Sequence, residues 1–307
     1  MDLSVVVPVY NEVENLPLLF DKLKEELEGK GLQFEVILVD DGSSDKSRDF
    51  LRDQCKEDSS FRALFLARNF GQTAALSAGI QASNGEYIAT LDGDLQNDPA
   101  DILPLLELCR QEGYEVVSGW RKNRKDSFLR TYMSRIANRM ASKVTGLMLH
   151  DYGCSMKVYR KDTLKRIKLY GEMHRFLPIF AFHKGAKVTE RVVSHHPRVE
   201  GQSKYGYMRI LRVMIDMLMF YFLFHSGKPL AFFARLGIFL AVTSAALFAA
   251  GYIQTQFLFL SLGSVLFTLA MGCVLFGLIL ELIIRTHYMA QGETQFVIEE
   301  RCNFQEE

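Results

Sequence analysis

The sequence has few cysteines, and their positions argue against the sites that cysteines usually build. The five are odd in number and no two are spaced CxxC, which disfavours a disulfide framework or a zinc site and favours a reducing compartment. Lys plus Arg and Asp plus Glu both number 36, so the formal net charge is zero. The chain therefore lacks the overall basic charge typical of proteins that bind nucleic acid, and we expect no nucleic-acid partner.

Two phosphate-binding signatures and a secretion signal are also missing. No GxGxxG follows the first predicted strand and no GxxxxGK[ST] occurs, so dinucleotide-dependent redox chemistry and P-loop hydrolysis lose their main support. The N-terminus has no basic stretch before its apolar run, and that run, at 4–10, is too short for a signal peptide. We therefore expect the N-terminal half to stay in the cytoplasm.

Two long apolar runs are present at 231–253 and 257–284. Each exceeds the roughly 20 residues that a helix needs to cross a bilayer, and the short uncharged turn between them predicts a transmembrane hairpin within 229–286. Basic residues flank the hairpin at its entry and its exit. The positive-inside rule therefore predicts that both ends, and both termini of the chain, are cytoplasmic.

Shorter elements are predicted on either side of this hairpin. Within the segment 206–228, the stretch 207–224 is apolar but is interrupted by three charged residues, which predicts an amphipathic helix lying in the membrane interface. The tail at 287–307 contains a candidate strand at 294–299, which is expected to pair with another subunit.

The first 205 residues form a separate cytoplasmic domain by their pattern. In the first 120 of these residues, short β-branched runs alternate with amphipathic helical stretches, which predicts βαβ units and a mostly parallel, Rossmann-like α/β sheet. The predicted strands are 3–7, 34–39, 63–66, 87–91 and 116–118, and the predicted helices are 15–27, 44–55, 73–82 and 100–110. Ligands of such sheets bind beyond the carboxyl ends of the strands, and polar clusters follow the first four strands there.

One of these clusters predicts a metal site. Asp92, Gly93 and Asp94 directly follow an apolar strand, and Gln96 adds another oxygen. Two carboxylates that flank one small residue suit a hard divalent cation, which in turn binds a diphosphate. The alternative is an ordinary Asp-Gly turn, and the strand-end position favours metal and nucleotide binding over it.

The motifs VPVYNE at 7–12, VDDGSSD at 39–45 and DGDLQ at 92–96 resemble the family 2 inverting glycosyltransferases with a GT-A fold. Within that family the chain resembles, over nearly its whole length, the polyisoprenyl-phosphate glycosyltransferases. These include dolichyl-phosphate mannose synthase, the GtrB-type glucosyltransferases and the ArnC-type transferases of formylated aminoarabinose. The stretches 68–72 and 151–154 are most similar to the ArnC-type branch.

The resemblance implies roles for matching residues. Those expected to hold the nucleoside are Pro8, Tyr10, Glu12, Asp40 and Asp41. Those expected to hold Mg²⁺ or Mn²⁺ and the diphosphate are Asp92, Asp94 and Gln96. Those expected to bind phosphate, chiefly that of the lipid acceptor, are Arg121, Arg130, Ser134 and Arg198, with Lys204 ending the stretch that Arg198 begins.

The implied catalytic set is Asp94, Arg121, Arg130 and Asp151. A phosphate nucleophile is already mostly dianionic at neutral pH and therefore needs little help from a general base. Two roles consequently stay open for Asp151, a base or the anchor of a glycine turn. Two departures from the family pattern occur: Gly93 stands where many relatives have Ala, and Cys154 stands where some GtrB-type relatives carry an acid. The second departure prevents an acidic role from being carried over to that position.

The resemblance implies an inverting transfer of one sugar from a nucleotide-sugar, by preference a UDP-sugar, to polyprenyl phosphate. The expected location is the cytoplasmic face of a bacterial inner membrane, and the group often forms tetramers. A processive synthase of the same fold is one alternative, but its Q-x-x-R-W motif is absent, since the only tryptophan is Trp120. An inactive membrane scaffold is the other alternative, although a scaffold would need neither the acidic residues nor the arginines.

Overall fold

The computed structural model describes residues 1–122, 138–139, 141–143, 145–165, 167, 173–196, 229–254, 256–289 and 296–304. The described residues fall into two compact units. One comprises Met1–Ile210 together with Thr294–Glu307, and the other comprises Leu211–Glu293. The tail after the second apolar run therefore belongs with the N-terminal domain.

The first unit alternates strands and helices in its first 120 residues, as predicted. Its strands are β1 (Leu3–Val9), β2 (Phe34–Asp40), β3 (Phe61–Leu66), β4 (Tyr87–Thr90), β5 (Val116–Trp120), β6 (Lys157–Arg160), β7 (Val188–Val192) and β8 (Ile298–Cys302). Its α-helices are α1 (Leu16–Leu27), α2 (Ser47–Glu57), α3 (Gln72–Ala82), α4 (Ile102–Glu112), α5 (Lys161–Lys165) and α6 (Leu177–His183). Short 3-10 turns occupy Pro99–Asp101 and Met173–Phe176.

The strands form one mixed sheet in the order β7-β5-β6-β4-β1-β2-β3-β8. The pairs β4–β1, β1–β2, β2–β3 and β5–β7 are parallel. The pairs β4–β6, β5–β6 and β3–β8 are antiparallel. The expectation of a mostly parallel α/β sheet is confirmed, and the antiparallel strands lie beyond the four-stranded parallel centre.

Both faces of the central strands are buried, which explains their nearly continuous apolar runs. Val5 and Val7 of β1 face a core shared with α1, α2 and α4, whereas Val6 between them faces the core shared with α3. Successive side chains of a strand point to opposite faces, so a single strand contributes to both cores. The sheet therefore holds its strand ends rigidly, as a ligand site requires.

The tail strand differs from its prediction in position and in partner. It occupies Ile298–Cys302 rather than 294–299, and it pairs antiparallel with β3 of its own chain, with Ala63 opposite Cys302. This corrects the expectation of a partner on another subunit. The physical reason is that β3 otherwise leaves a row of unpaired backbone groups at the sheet edge, and a strand from the same chain satisfies them.

The second unit contains two long helices, α7 (Pro229–Gln254) and α8 (Phe257–Met289). Within them 22 and 27 residues, Phe232–Ile253 and Phe257–Ile283, are long and apolar enough to cross a membrane. Small residues bring the helices together: the Ser244 hydroxyl donates to the Gly263 carbonyl at 2.7 Å. The two helices are thus a hairpin within a few residues of the predicted bounds.

Candidate active site

The candidate site lies at the carboxyl edge of the parallel strands. Asp41 follows β2 directly and its backbone N–H donates to the carbonyl of Val9, the last residue of β1, at 2.9 Å. Leu91 follows β4 and its N–H donates to the carbonyl of Val6 at 3.1 Å. These bonds tie the first residues of the loops after β2 and β4 to β1, which lies between those strands, so the loops begin at the same edge of the sheet.

Hydrogen bonds join the loop after β1 to the loop after β2 and to the first residue of α2. Asn11, held at φ +53°, accepts the backbone N–H of Ser44 at 2.8 Å, and its own N–H donates to the Ser43 hydroxyl at 2.9 Å. The N–H of Glu12 donates to the Ser47 hydroxyl at 3.1 Å. These hydrogen bonds therefore hold the two loops against each other, and the Tyr10 ring is exposed on the loop after β1.

Asp40 ends β2 with a fully buried carboxylate. It accepts backbone N–H groups from Gly42 and Ser43 at 3.2–3.3 Å, and its Oδ2 lies 3.1 Å from Nε of Arg48. Burial raises the pKa of Asp40, while the Ser43 hydrogen bonds and the Arg48 charge oppose that rise. Asp40 is thus a buried carboxyl group at the predicted nucleoside position, with the Arg48 guanidinium beside it.

Asp41 holds the neighbouring loop. Its two carboxylate oxygens accept the N–H groups of Phe70 and Gly71 at 2.7 and 2.9 Å, and burial raises the pKa of the side chain. The stretch 68–72 is thereby fixed across the edge of the site. This anchoring role was not part of the sequence prediction, in which Asp41 was expected to contact the nucleoside.

Gly42→Ala is expected to destabilise the protein more than Gly29→Ala does. Both glycines have φ +71°, but a Cβ on Gly42 would lie 2.5 Å from the Arg68 carbonyl carbon, whereas at Gly29 it would meet nothing within 4 Å. The shared backbone strain costs about 1–2 kcal/mol, and the clash should add about 1–3 kcal/mol. Thermal unfolding of the full chain in detergent tests this, and equal melting temperatures would contradict the close approach.

The DGD motif places two carboxylates together after β4. Gln72 at the start of α3 donates its amide to Oδ1 of Asp92 at 2.7 Å, and Asp94 is buried, with its Oδ1 accepting the Gln96 N–H at 3.2 Å. Burial, followed by repulsion from Asp94, raises the pKa of Asp92 to about 6. Asp92 is consequently ionised at neutral pH and becomes protonated as the pH falls below that value.

A divalent cation fits this pair. Two repelling carboxylates in a poorly solvated place are stabilised by a hard cation with oxygen ligands. Among the residues that the structure describes, no three His, Cys, Asp or Glu side chains are grouped as a metal site. A cation held by Asp92 and Asp94, with Gln96 close by, would therefore take further ligands from a diphosphate and water, as nucleotide-bound metals commonly do.

Arg121 and Asp151 form a bidentate ion pair that is largely buried. Nε of Arg121 lies 2.7 Å from Oδ2 of Asp151, and Nη2 lies 3.0 Å from Oδ1. Asp151 also accepts the Gly153 N–H at 3.1 Å. The sequence singled out both residues but did not pair them, because no pattern links positions 30 residues apart.

Two polar contacts near the motif were not predicted. The first is the hydrogen bond that the Gln72 side-chain amide donates to Asp92. The second involves Lys157 of β6, which is buried and whose ammonium donates to the backbone carbonyls of Tyr152 and Cys154. Burial lowers the pKa of Lys157 to about 8. The position of Lys157 between Met156 and Val158 was the only local signal, and buried lysines are rare unless they have partners.

Pro8 lies within β1, and four other predicted residues lie outside the described part of the chain. These are Arg130, Ser134, Arg198 and Lys204. The predicted interfacial helix at 206–228 lies outside it as well. Their roles stay predictions.

Residues 4–168 match the family model of glycosyl transferase family 2. The match covers more than half of the chain and includes the three motifs that carry the resemblance. The chain belongs to glycosyl transferase family 2. It is therefore a glycosyltransferase, and the expectation drawn from those motifs is confirmed.

Curated relatives match this glycosyltransferase at similar levels of identity. It is 38% identical over 312 aligned positions to the dodecaprenyl-phosphate galacturonate synthase of Rhizobium johnstonii, which covers 97% of the chain and 92% of that protein. It is 39% identical over 216 positions to the undecaprenyl-phosphate 4-deoxy-4-formamido-L-arabinose transferase of Aeromonas hydrophila. That match covers 70% of the chain and 66% of the relative. The second match thus leaves about a third of each protein unaligned.

Solved structures share the fold of the glycosyltransferase. Glucosyl-3-phosphoglycerate synthase from Mycobacterium tuberculosis, in complex with Mn²⁺ and UDP-glucose, superposes with a TM-score of 0.54, 17% identity and coverage of 72% of this chain and 78% of that one. The mannosyltransferase PcManGT from Pyrobaculum calidifontis, in complex with GDP-Man and Mn²⁺, gives a TM-score of 0.51, 17% identity and coverage of 72% and 62%. The predicted GT-A architecture is confirmed.

Proposed function

We propose that the enzyme transfers a single sugar, with inversion, from a nucleotide-sugar to a polyprenyl phosphate. The observation that carries this proposal is that the partly buried Asp92 and the buried Asp94 lie together at the carboxyl edge of the sheet, the same edge at which Asp40 ends β2. It is supported by the nearly full-length similarity to a dodecaprenyl-phosphate galacturonate synthase. The similarity to undecaprenyl-phosphate transferases favours a UDP-sugar donor and a bacterial lipid acceptor.

On the donor side, Pro8, Tyr10, Glu12 and Asp40 would bind the nucleoside, with Asp41 fixing the loop beside them. Asp92, Asp94 and Gln96 would hold Mg²⁺ or Mn²⁺, and both solved structures named above contain Mn²⁺ with a nucleotide-sugar. A bound cation neutralises charge on a diphosphate leaving group. The carboxylates therefore serve the departure of the nucleoside diphosphate.

On the acceptor side, a phosphate oxygen of the lipid attacks the anomeric carbon while the bond from that carbon to the diphosphate breaks. The attacking monoester has a second pKa near 6 and is mostly dianionic at neutral pH, so it needs no general base. Arg121 would orient it, with Arg130, Ser134, Arg198 and Lys204 as further phosphate contacts. Because both Asp151 oxygens contact Arg121, the positioning role of Asp151 is favoured over a role as base.

The two apolar helices would bring the catalytic domain to its lipid substrate. We propose an inner-membrane protein with both termini and the catalytic domain in the cytoplasm, an interfacial helix at 206–228 and a homotetrameric assembly. The length and composition of Phe232–Ile253 and Phe257–Ile283 support the two spans. Crosslinking in native membranes would test the assembly.

The first test is nucleoside diphosphate release by the full-length protein in detergent, with Mn²⁺ and undecaprenyl phosphate. The donor panel contains UDP-galacturonate, a UDP-linked 4-formamido-arabinose, UDP-glucose and GDP-mannose. We expect release with one donor, dependent on the lipid, abolished by EDTA and restored by Mn²⁺ or Mg²⁺. Mass spectrometry of the lipid product should find one added sugar.

Other outcomes would favour the alternatives. A lipid product carrying several sugars would indicate a processive synthase. Absence of lipid-dependent release with every donor would support the membrane scaffold. The missing Q-x-x-R-W motif argues against the processive synthase, and the adjacent carboxylates of Asp92 and Asp94 argue against the scaffold.

A further inference from the structure

The C-terminal strand β8 delivers two acidic side chains to helix α2. Glu299 lies 2.9 Å from Nη2 of Arg48, and Glu300 lies 2.7 Å from Nη2 of Arg52. The two arginines are four residues apart and therefore share one face of the helix. Both guanidinium groups lie over the ring of Phe65 in β3, at 5.4 and 5.0 Å from its centroid.

A β-bulge explains how two consecutive glutamates reach the same helix. In a regular strand they would point to opposite faces of the sheet. Here Glu300 pairs with Phe65 and Ile298 pairs with Leu66, and the register shifts between them, so Glu299 is an extra residue. Bulges commonly redirect a side chain, and this one directs Glu299 towards α2.

Only one of the two ion pairs continues towards the candidate site. Nε of Arg48 lies 3.1 Å from Oδ2 of Asp40, whose carboxylate is fully buried. Arg48 also donates to the Leu66 carbonyl at 3.3 Å. Arg52, in contrast, pairs with Glu300 and with Asp49 of its own helix.

Arg48 is therefore held between an exposed carboxylate and a buried one. A long arginine side chain loses considerable rotamer entropy when it is fixed. The ion pair of Glu299 with Nη2 of Arg48 offsets that loss of entropy. The guanidinium is thereby fixed with its Nε beside the Asp40 carboxylate. Without Glu299 the Arg48 guanidinium gains access to solvent, and its ion pair with Asp40 becomes weaker. Among the described residues, Asp40 has no other ion-pair partner.

We propose that Glu299 is a positioning residue for the nucleotide, acting through Arg48 on Asp40. This inference rests on the proposed function, in which Asp40 binds the nucleoside. Glu299 follows both apolar helices in the chain, so the tail contributes to a site built by residues near the N-terminus. Its effect should fall on donor binding rather than on the chemical step.

The test compares Glu299→Gln with Glu300→Gln in the full-length protein. Each variant removes one carboxylate charge from β8 and one ion pair to α2, but only Glu299 connects to Asp40. Binding of UDP and of GDP is measured by calorimetry with Mn²⁺, and the nucleotide that wild type binds is used throughout. Asp40→Asn serves as the reference for loss of the nucleoside contact.

For Glu299→Gln we expect about fivefold weaker binding, because ion pairs with an exposed partner have modest energies. The donor KM should rise by a similar factor with kcat unchanged. Glu300→Gln should change binding less than about twofold while lowering the melting temperature at least as much as Glu299→Gln, because Glu300 accepts from both Nε and Nη2 of Arg52. A purely structural role of Glu299 would not separate the two variants in this way.

Four results would overturn the inference. If Asp40→Asn weakens binding but Glu299→Gln binds like wild type, the connection fails while the proposed role of Asp40 stands. If both glutamate variants weaken binding equally, the effect belongs to docking of the strand. If Asp40→Asn binds like wild type, or if wild type binds neither nucleotide, the proposed function fails at this site and the inference fails with it.

Discussion

Asp94→Asn is expected to lower kcat/KM for sugar transfer by at least about 10³-fold, the scale of losing a group that stabilises charge in the transition state. Asparagine has the same shape, and its side-chain oxygen can still accept the Gln96 N–H that Asp94 accepts at 3.2 Å. The substitution therefore removes charge while preserving the loop. Nucleoside diphosphate release with saturating lipid measures the effect.

The matched control is Asp98→Asn, four residues further along the same segment. Asp98 accepts the Ala100 N–H at 3.2 Å and pairs with His196 and Lys22 at 3.0 and 3.7 Å, so it has structural partners of its own. We expect this variant to keep turnover within about threefold of wild type, since partly exposed ion pairs contribute little.

A metal titration gives a second readout that does not depend on turnover. Mn²⁺ binding, followed by electron paramagnetic resonance in the presence of UDP, should weaken strongly in Asp94→Asn and remain unchanged in Asp98→Asn. Unchanged turnover and unchanged Mn²⁺ binding in Asp94→Asn would remove Asp94 from the metal site. Lost turnover with unchanged Mn²⁺ binding would assign it to the sugar or the diphosphate instead.

The placement of the acidic side chains at the carboxyl ends of the strands could be predicted because its information is local in the sequence. β1, β2 and β4 are apolar runs that end in polar motifs, and parallel strands bring their carboxyl ends to one edge. The positions of Asp40, Asp92 and Asp94 follow from that rule alone. The helices α1 and α3 likewise begin and end within two residues of their predicted bounds.

The parts that were missed depend on contacts between distant residues. The pairing of Glu299 with Arg48 joins positions 251 residues apart, and it also requires a bulge that no sequence pattern announces. The pairing of β8 with β3 of the same chain was missed for the same reason. The sequence of a short polar strand does not indicate which strand it pairs with. The antiparallel strand β6 lies in a stretch whose mixed pattern predicted no single element.

Asp151→Asn is expected to lower kcat by about 10²-fold and to lower the melting temperature as well. The buried Arg121 guanidinium would keep its charge but lose its carboxylate partner, and breaking a buried pair in this way costs about 3–5 kcal/mol. Arg121 would then no longer be fixed for the acceptor phosphate, and misplacement by about 1 Å can reduce the rate a hundredfold.

The pH dependence separates this positioning role from general-base catalysis. If Asp151 only holds Arg121, the variant and wild type should show the same pH–rate profile, rising through the second pKa of the acceptor phosphate near 6. If Asp151 were the base, its replacement should change the shape of that profile as well as its height. A profile that becomes independent of pH in Asp151→Asn would contradict the positioning role.

A double variant tests whether stability and activity can be separated at this pair. Arg121→Met combined with Asp151→Leu replaces both buried charges with apolar side chains of similar size, and such replacements often restore or exceed the original stability. We expect the melting temperature to recover while transfer remains below about 1% of wild type, because the Arg121 guanidinium is no longer present to orient the phosphate. Recovery of transfer would mean that the pair serves folding alone, and the acceptor phosphate would then need a different cation. Continued instability without recovery would show instead that this part of the fold requires the hydrogen bond from Gly153 to Asp151 at 3.1 Å.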